Sequence, residues 1–243
     1  GIADNINIGK TNDRLAAQMG LTAKESGRIG KLAGSLYRDA YGESLEEVNS
    51  ALRGVQTNIG DLGKFSNKAI ESMGAKALDL ATIMGEDVSA VTRGVGQLMR
   101  TDLAPNATAA FDLITAAAQK LPEAMQGELL ETIEEYGSTF SELGLTGPQA
   151  LGAISAAVKA GARNTDIAAD AFKEFSIRAI DGSKLTSEGY RMLGLDADKL
   201  SQQIAGGGPA AAKATSEVIR SLASIKDPIK QEAAGVALFG TQF

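Results

Sequence analysis

Apolar residues recur along most of the chain at alternating steps of three and four positions, the spacing of one face of a helix. The first such stripe consists of Leu45, Val48, Leu52, Val55 and Ile59. Two longer stripes consist of Leu62, Phe65, Ala69, Met73, Ala77, Leu80 and Met84, and of Met125, Leu129, Ile133, Tyr136, Phe140 and Leu143. No segment alternates with period two over enough residues to predict a strand. The pattern predicts an all-α fold, a multi-helix bundle of moderate-length helices.

Polar side chains and prolines mark where these helices begin. Thr22 with Glu25, and Ser44 with Glu47, have the spacing of a capping box. Pro122 and the pair Asp227-Pro228 are typical of a first helical turn. The predicted turns between helices lie at 103–106, 145–148, 162–164, 181–183 and 206–209. Heptads are not sustained over three or four repeats, so a long coiled coil is not expected.

Two similar junctions suggest an internal duplication. The run MGLT at 19–22 and the run LGLT at 143–146 each open a helix that a capped helix follows. The resulting hypothesis divides the chain into a flexible lead-in at 1–20, a helical half at 21–121, a bridging helix at 122–143 and a related half at 144–243. Glycine-leucine pairs before a helix are common, so chance would also produce this pattern.

Small side chains dominate the apolar fraction of the sequence. Hydrophobic residues make up 44% of the chain, but aromatic residues only 5%, there is no tryptophan, and glycine occurs 28 times. Alanine and glycine let helices approach closely but bury little area each, so stability must come from many thin contacts. Such a chain is expected to rely partly on copies of itself or on a partner.

Charge and residue usage exclude several classes of function. The net charge of -6 and the dispersed lysines and arginines argue against direct, specific nucleic-acid binding. The sequence has no cysteine and no histidine, which excludes disulfides, thiolate or imidazole metal ligands and histidine-based catalytic triads. No signal peptide is recognisable, and the weakly polar stretch at 150–158 is too short to span a bilayer. The sequence starts at Gly1 instead of a methionine and stops at Phe243, so we expect it to be a fragment or a processed product.

Two segments partly match ligand-binding motifs. Gly9-Lys10-Thr11 copies the end of a phosphate-binding loop, but Asp4 stands where that loop needs its first glycine, and no strand precedes it. Asp196 and Asp198 resemble the first ligands of a calcium loop. The later positions of that loop are occupied by Leu200, Ser201 and Gly207. We therefore interpret the first segment as a lead-in to a helix and Asp196 as a helix cap.

Other polar groupings have a structural interpretation as well as a functional one. Asp166, Asp170 and Glu174 form an acidic stripe, which is either a charged contact with a neighbouring subunit or, as we favour, a solvated face. The remaining groupings are Glu134 with Glu135, Tyr37 with Tyr41, and the glycine run at 206–208. Adjacent glutamates diverge on a helix, the tyrosines suit core or interface packing, and the glycine run suits a tight turn. The sequence thus assigns no catalytic, cofactor-binding or metal-binding residue and predicts a protein that is not an enzyme.

The C-terminal half contains a set of short runs in a characteristic order. They are ADAFKEFSIRA at 169–179, DGS at 181–183, MLGL at 192–195, GGG at 206–208, IKDP at 225–228 and ALFGT at 237–241. With these runs the chain resembles phage tail tape measure proteins. The similarity is clear over 143–243 and weaker over 21–121. Tape measure proteins are usually far longer, so the resemblance implies an internal portion of such a protein. Their measuring part is pictured as a long helical rod, which leaves open whether this portion is ruler or compact domain.

The resemblance implies a multi-copy structural component of the virion tail, assembled in the host cytoplasm. Such a protein occupies the lumen of the tail tube until infection, and its length helps to set tube length. The implied partners are further copies of the chain, the tail tube proteins and the tail tip proteins. One alternative is a membrane-interacting helical module released during genome delivery, through Ala/Gly-rich segments such as 150–162 and 209–214. Another is an adaptor or toxin-delivery scaffold with a similar helical body.

Overall fold

The computed structural model describes residues 13–14, 16–159 and 161–241. Residues 13–14 and 16–19 are helical, and twelve further α-helices follow them. In chain order they are α1 (Ala23–Arg38), α2 (Leu45–Gly54), α3 (Asn67–Met84), α4 (Val88–Arg100), α5 (Ala107–Gln119), α6 (Glu123–Glu142), α7 (Gly147–Lys159), α8 (Thr165–Arg178), α9 (Lys184–Met192), α10 (Ala197–Ala205), α11 (Gly208–Ala223) and α12 (Pro228–Phe239). A π-helical turn (Val55–Ile59) and a 3₁₀ turn (Leu62–Lys64) lie between α2 and α3. These residues contain no strand, which confirms the all-α prediction.

The chain divides into two compact units. Of the described residues, those up to 99 and those at 105–118 form the first unit, and those at 100–104 and from 119 onward form the second. Residues 100–104 are tied to the second unit because the Gly147 backbone N–H donates to the carbonyl oxygen of Leu103 over 3.0 Å. The helix predicted as a bridge, α6, also lies in the second unit. The internal duplication stays a prediction.

Side-chain caps begin most of the helices. At α1 the capping box is complete, with Thr22 accepting from the Glu25 N–H and the Glu25 carboxylate accepting from the Thr22 N–H. At α2 only half of the predicted box forms, because Glu47 accepts from the N–H of Glu43 instead of that of Ser44. The other side-chain caps of the α-helices are Ser66, Asn106, Thr146, Asn164, Ser183, Asp196 and Asp227. The predicted caps Asp196 and Asp227 are thereby confirmed.

Two of the predicted apolar faces are interrupted. The stripe that begins at Leu62 does not lie on one helix, since the 3₁₀ turn ends before Phe65 and α3 begins only after Ser66. The Ser66 hydroxyl accepts from the Ala69 N–H over 3.1 Å, and this local cap outweighs the periodicity of the apolar residues. The stripe that begins on α2 likewise leaves its α-helix, because Val55 and Ile59 lie in the π-helical turn.

Tyr37 and Tyr41, whose spacing of four is typical of one helix face, do not lie on the same helix. Helix α1 ends at Arg38, and Ala40 then adopts a left-handed conformation with φ of 64°. The Tyr41 N–H closes the turn by donating to the carbonyl oxygen of Leu36 over 3.0 Å. This cap turns the chain before Tyr41 can continue the helix.

The core of the first unit forms where α1, α2 and α3 pack against one another. Gly74 of α3 permits this packing, because a Cβ atom there would lie 2.9 Å from a methyl carbon of Leu36 and 3.4 Å from one of Leu52. Arg28 holds the 3₁₀ turn against α1 by donating to the carbonyl oxygens of Leu62 and Phe65 over 2.8 and 2.9 Å. Fully burying one leucine such as Leu52 stabilises the unit by about 1.5–3 kcal/mol.

In the second unit, α8 lies at the centre of the packing. It packs against α6, α7 and α12, while α9 packs on α12 and α10 packs on α11. Thr132 of α6 and Thr165 of α8 are buried, and their hydroxyl oxygens are 3.0 Å apart and hydrogen-bonded. This buried polar pair fixes the start of α8 against the middle of α6.

Candidate functional site

The contact between α8 and α12 joins two of the runs that carry the family resemblance, 169–179 and 237–241. Its centre is aromatic. The ring of Phe239 stacks on Phe175 with centroids 4.7 Å apart and meets the edge of Phe172 at 6.0 Å. Phe172 in turn lies 5.8 Å from Phe140 of α6. Such ring pairs contribute about 0.5–1.5 kcal/mol each beyond their buried area, so this cluster helps to hold α12 against α8.

Arg178 closes the same contact on its polar side. Its Nε atom lies 3.2 Å from the carboxylate of Glu174, and its Nη1 atom donates to the carbonyl oxygen of Val236 over 3.1 Å. Gly240 ends α12 with φ of 80°, and a Cβ atom there would lie 3.3 Å from the side chain of Glu174. The glycine therefore lets the end of α12 settle against this ion pair.

The end of α8 is held by hydroxyl groups from α9 and α10. The carbonyl oxygen of Ala179 accepts from the Tyr190 hydroxyl over 3.0 Å and from the Ser201 hydroxyl over 2.7 Å. Thr186 donates to the carbonyl oxygen of Arg178 over 2.9 Å. Burial raises the pKa of Tyr190 to about 12, and the nearby carboxylate of Asp181 adds to this effect. These bonds satisfy carbonyl groups that a helix end otherwise leaves unpaired.

The acidic stripe of α8 is divided in the structure. Asp166 is exposed, whereas Asp170 and Glu174 are half-buried and Glu174 is paired with Arg178 of the same helix. The pKa of the buried Tyr136 on α6 is raised to about 12, first by burial and then by the carboxylates of Asp166, Glu135 and Asp170. Part of the stripe thus faces α6 within the unit, and contact with a neighbouring subunit stays a hypothesis.

Similarity to known proteins identifies the family of this chain. The family model described as "Phage-related minor tail protein" matches residues 39–240. The chain belongs to this family. Because this is a family of tail proteins, the predicted structural place in the virion tail is confirmed.

A relative of this minor tail protein carries a more specific name. The chain is 38% identical to the "Probable tape measure protein" of Streptomyces phage phiC31, and the similarity covers all of this chain. The chain spans about a third of the length of that relative. No solved structure matches. These comparisons confirm the resemblance predicted from the C-terminal runs and do not favour the membrane-interacting module.

Among the described residues, the other sequence candidates form no assembled site. Gly9-Lys10-Thr11 lies outside the described residues. Asp196 uses its carboxylate to accept from the Lys199 N–H over 3.1 Å, as a helix cap does. Within the described part of the chain, no group of three or more acidic side chains is placed to hold a metal ion. None of the helices described there is long and apolar enough to cross a bilayer.

Sequence reasoning did not find the aromatic contact between α8 and α12. Phe172, Phe175 and Phe239 were visible as members of separate runs, but helical periodicity predicts only which residues share a face of one helix. A signal existed in the unusual concentration of phenylalanine in a sequence with so few aromatic residues, since five of the seven lie at 140–243.

Proposed function

We propose that this chain is a portion of a tape measure protein, which occupies the lumen of the tail tube until infection and contributes to the length of the tube. The observation that supports this most directly is the 38% identity to a probable tape measure protein, sustained over the whole chain. Because the chain spans about a third of that relative, the measuring role belongs to a longer protein in which this portion is one part.

The structure supports the proposal through the length that helices provide. Helices laid end to end extend the chain by about 1.5 Å per residue. Folded back on one another, as within each unit here, the same helices span only a few tens of ångströms, about the size of a small domain. We propose the end-to-end arrangement for the tail lumen, where neighbouring copies bury apolar stripes such as the one on α6.

The proposed role is structural and not enzymatic. The partners that it implies are further copies of the chain inside the tube, the tube proteins around them and the tip proteins at the end. Membership in the minor tail protein family supports association with tail components in general. The specific partners named above are part of the proposal.

The test is an in-frame excision of residues 21–243 from the full-length phage gene, followed by electron microscopy of the tails. If the segment is measured out as extended helix, the tails shorten by on the order of 330 Å. An excision of the same length elsewhere in the same gene, outside the part that encodes this chain, serves as the control. It tests whether the shortening depends only on the number of residues removed.

Two results contradict the proposal. Tails of unchanged length on fully infective particles leave the segment without a measuring role. Loss of assembled tails instead assigns the segment to a compact domain that assembly requires, and this contradicts its part in the ruler.

A further inference from the structure

Three cations lie together on the second unit, on the neighbouring helices α10 and α11. Lys199, Lys213 and Arg220 line one shallow depression, together with the half-buried Glu217. We call these three cations the basic face. All three are exposed, and within the described residues none of them forms an ion pair. Like charges held close together repel one another, so a negatively charged partner would stabilise this arrangement.

The first unit carries a groove of opposite charge. It lies between α2 and the start of α4 and has a volume of about 720 Å³. Its charged lining consists of Glu43, Glu47, Glu86 and Asp87 with Arg53 and Arg93. We call it the acidic groove. Glu43, Glu86 and Asp87 are exposed, so three of its four carboxylates are open to a partner.

The two features are complementary in chemistry as well as in sign. Lysine and arginine place their charges at the ends of long flexible stems, which can reach carboxylates that line a groove. The whole chain carries a net charge of -6, so a basic face is a local exception that another copy of this chain is suited to meet.

We propose that the basic face of one copy binds the acidic groove of a second copy. The inference rests on the proposed function, in which several copies of the chain come together in one tail. It concerns the folded units, before their helices are laid end to end in the lumen. The contact is heterologous, because each copy contributes a different surface. In a pair of copies, one copy still has a free acidic groove and the other a free basic face, so further copies can bind in series.

The experiment measures self-association of the purified chain by sedimentation velocity. We expect association at about 50 mM salt and its loss at about 500 mM, where the range of charge interactions falls to a few ångströms. The basic-face variant Lys199→Glu with Lys213→Glu, and the groove variant Glu43→Lys with Glu86→Lys, should each bind at least about tenfold more weakly. Lys31→Glu with Lys120→Glu changes exposed lysines outside both surfaces and serves as the matched control.

Mixing the basic-face variant with the groove variant provides the decisive measurement. Neither should associate alone, but together they restore an opposite pair of surfaces and should associate again. Circular dichroism checks that each variant keeps its helices, and Lys199→Gln with Lys213→Gln replaces the reversal if it does not fold.

Wild-type chain that stays monomeric at low salt overturns the inference. So does association that survives reversal of either surface, or a mixture that fails to reassociate. The tail-length experiment is independent of these results. Association in solution with unchanged tail length would contradict the proposed function alone, and shortened tails with a monomeric chain would contradict this inference alone.

Discussion

At the scale of single residues, one glycine allows two backbones to touch. Gly144, in the turn between α6 and α7, has φ of 71°, and a Cβ atom there would lie 1.9 Å from the carbonyl oxygen of Gly208 at the start of α11. Gly194 has nearly the same φ, 72°, and the same leucine neighbours, but a Cβ atom there would meet nothing within 4 Å. Substitutions at these two glycines therefore distinguish the cost of a strained backbone from the cost of a steric clash.

We expect Gly144→Ala to destabilise the second unit more than Gly194→Ala does. Both variants force alanine into a left-handed conformation, which costs about 1–2 kcal/mol. Only Gly144→Ala also has to push the start of α11 away, which adds about 1–3 kcal/mol. Urea unfolding of the two variants measures the difference, and equal losses would show that α11 does not depend on this contact.

Tyr190 makes the stability of the second unit depend on pH. Its pKa is raised to about 12 in the folded protein, whereas an unfolded tyrosine titrates near its ordinary value of 10.0. The unfolded chain therefore releases this proton first, so stability is fully present below about pH 10 and is lost as pH rises toward 12.

The variant Tyr190→Phe removes this titration and also one hydrogen bond to Ala179. We expect it to be less stable than the wild type by about 1 kcal/mol near pH 9, where the lost bond dominates. The difference should shrink by about 1 kcal/mol by pH 11, because only the wild type loses stability through this tyrosine. Urea unfolding at both pH values tests this, and a constant difference would contradict it.

At the scale of helices, the pairing of α6 with α8 depends on one buried polar contact. Thr132 and Thr165 satisfy each other, so removing one hydroxyl leaves the other buried without its partner. We expect Thr132→Val to lower the free energy of unfolding by about 1–3 kcal/mol.

The double variant Thr132→Val with Thr165→Val should restore most of that loss, because valine has nearly the same shape and no polar group remains unpaired. Chemical denaturation of the two single variants and the double variant gives the coupling energy. Additive losses would show that the two hydroxyls do not depend on each other.

Helix starts were the elements that the sequence predicted best. Thr22, Ser44 and Asp196 cap helices as expected, and α12 begins at Asp227-Pro228 as expected. A cap is a bond between residues two or three positions apart, so local sequence can predict it. The break before α3 was missed because a cap at Ser66 interrupts an otherwise continuous apolar stripe. Contacts between distant helices, such as the stacking of Phe175 on Phe239, are not encoded in local spacing and could not be derived from it.

At the scale of the whole molecule, the division into two units gives the excision experiment its internal control. Separate excisions of 21–99 and 119–243 remove different numbers of residues from the first and second units. If both are measured as extended helix, each shortens the tail by about 1.5 Å per residue removed. Shortening by only one excision would confine the ruler to that unit.

The side-chain caps have a mechanical consequence. Each capped helix has its first turn secured by a residue of its own segment, as Asn164 secures α8 and Asp227 secures α12. Pulling on the chain ends would therefore separate neighbouring helices before it unwound them. We therefore expect the molecule under tension to extend mainly at the short segments between helices, while the capped helices keep their length.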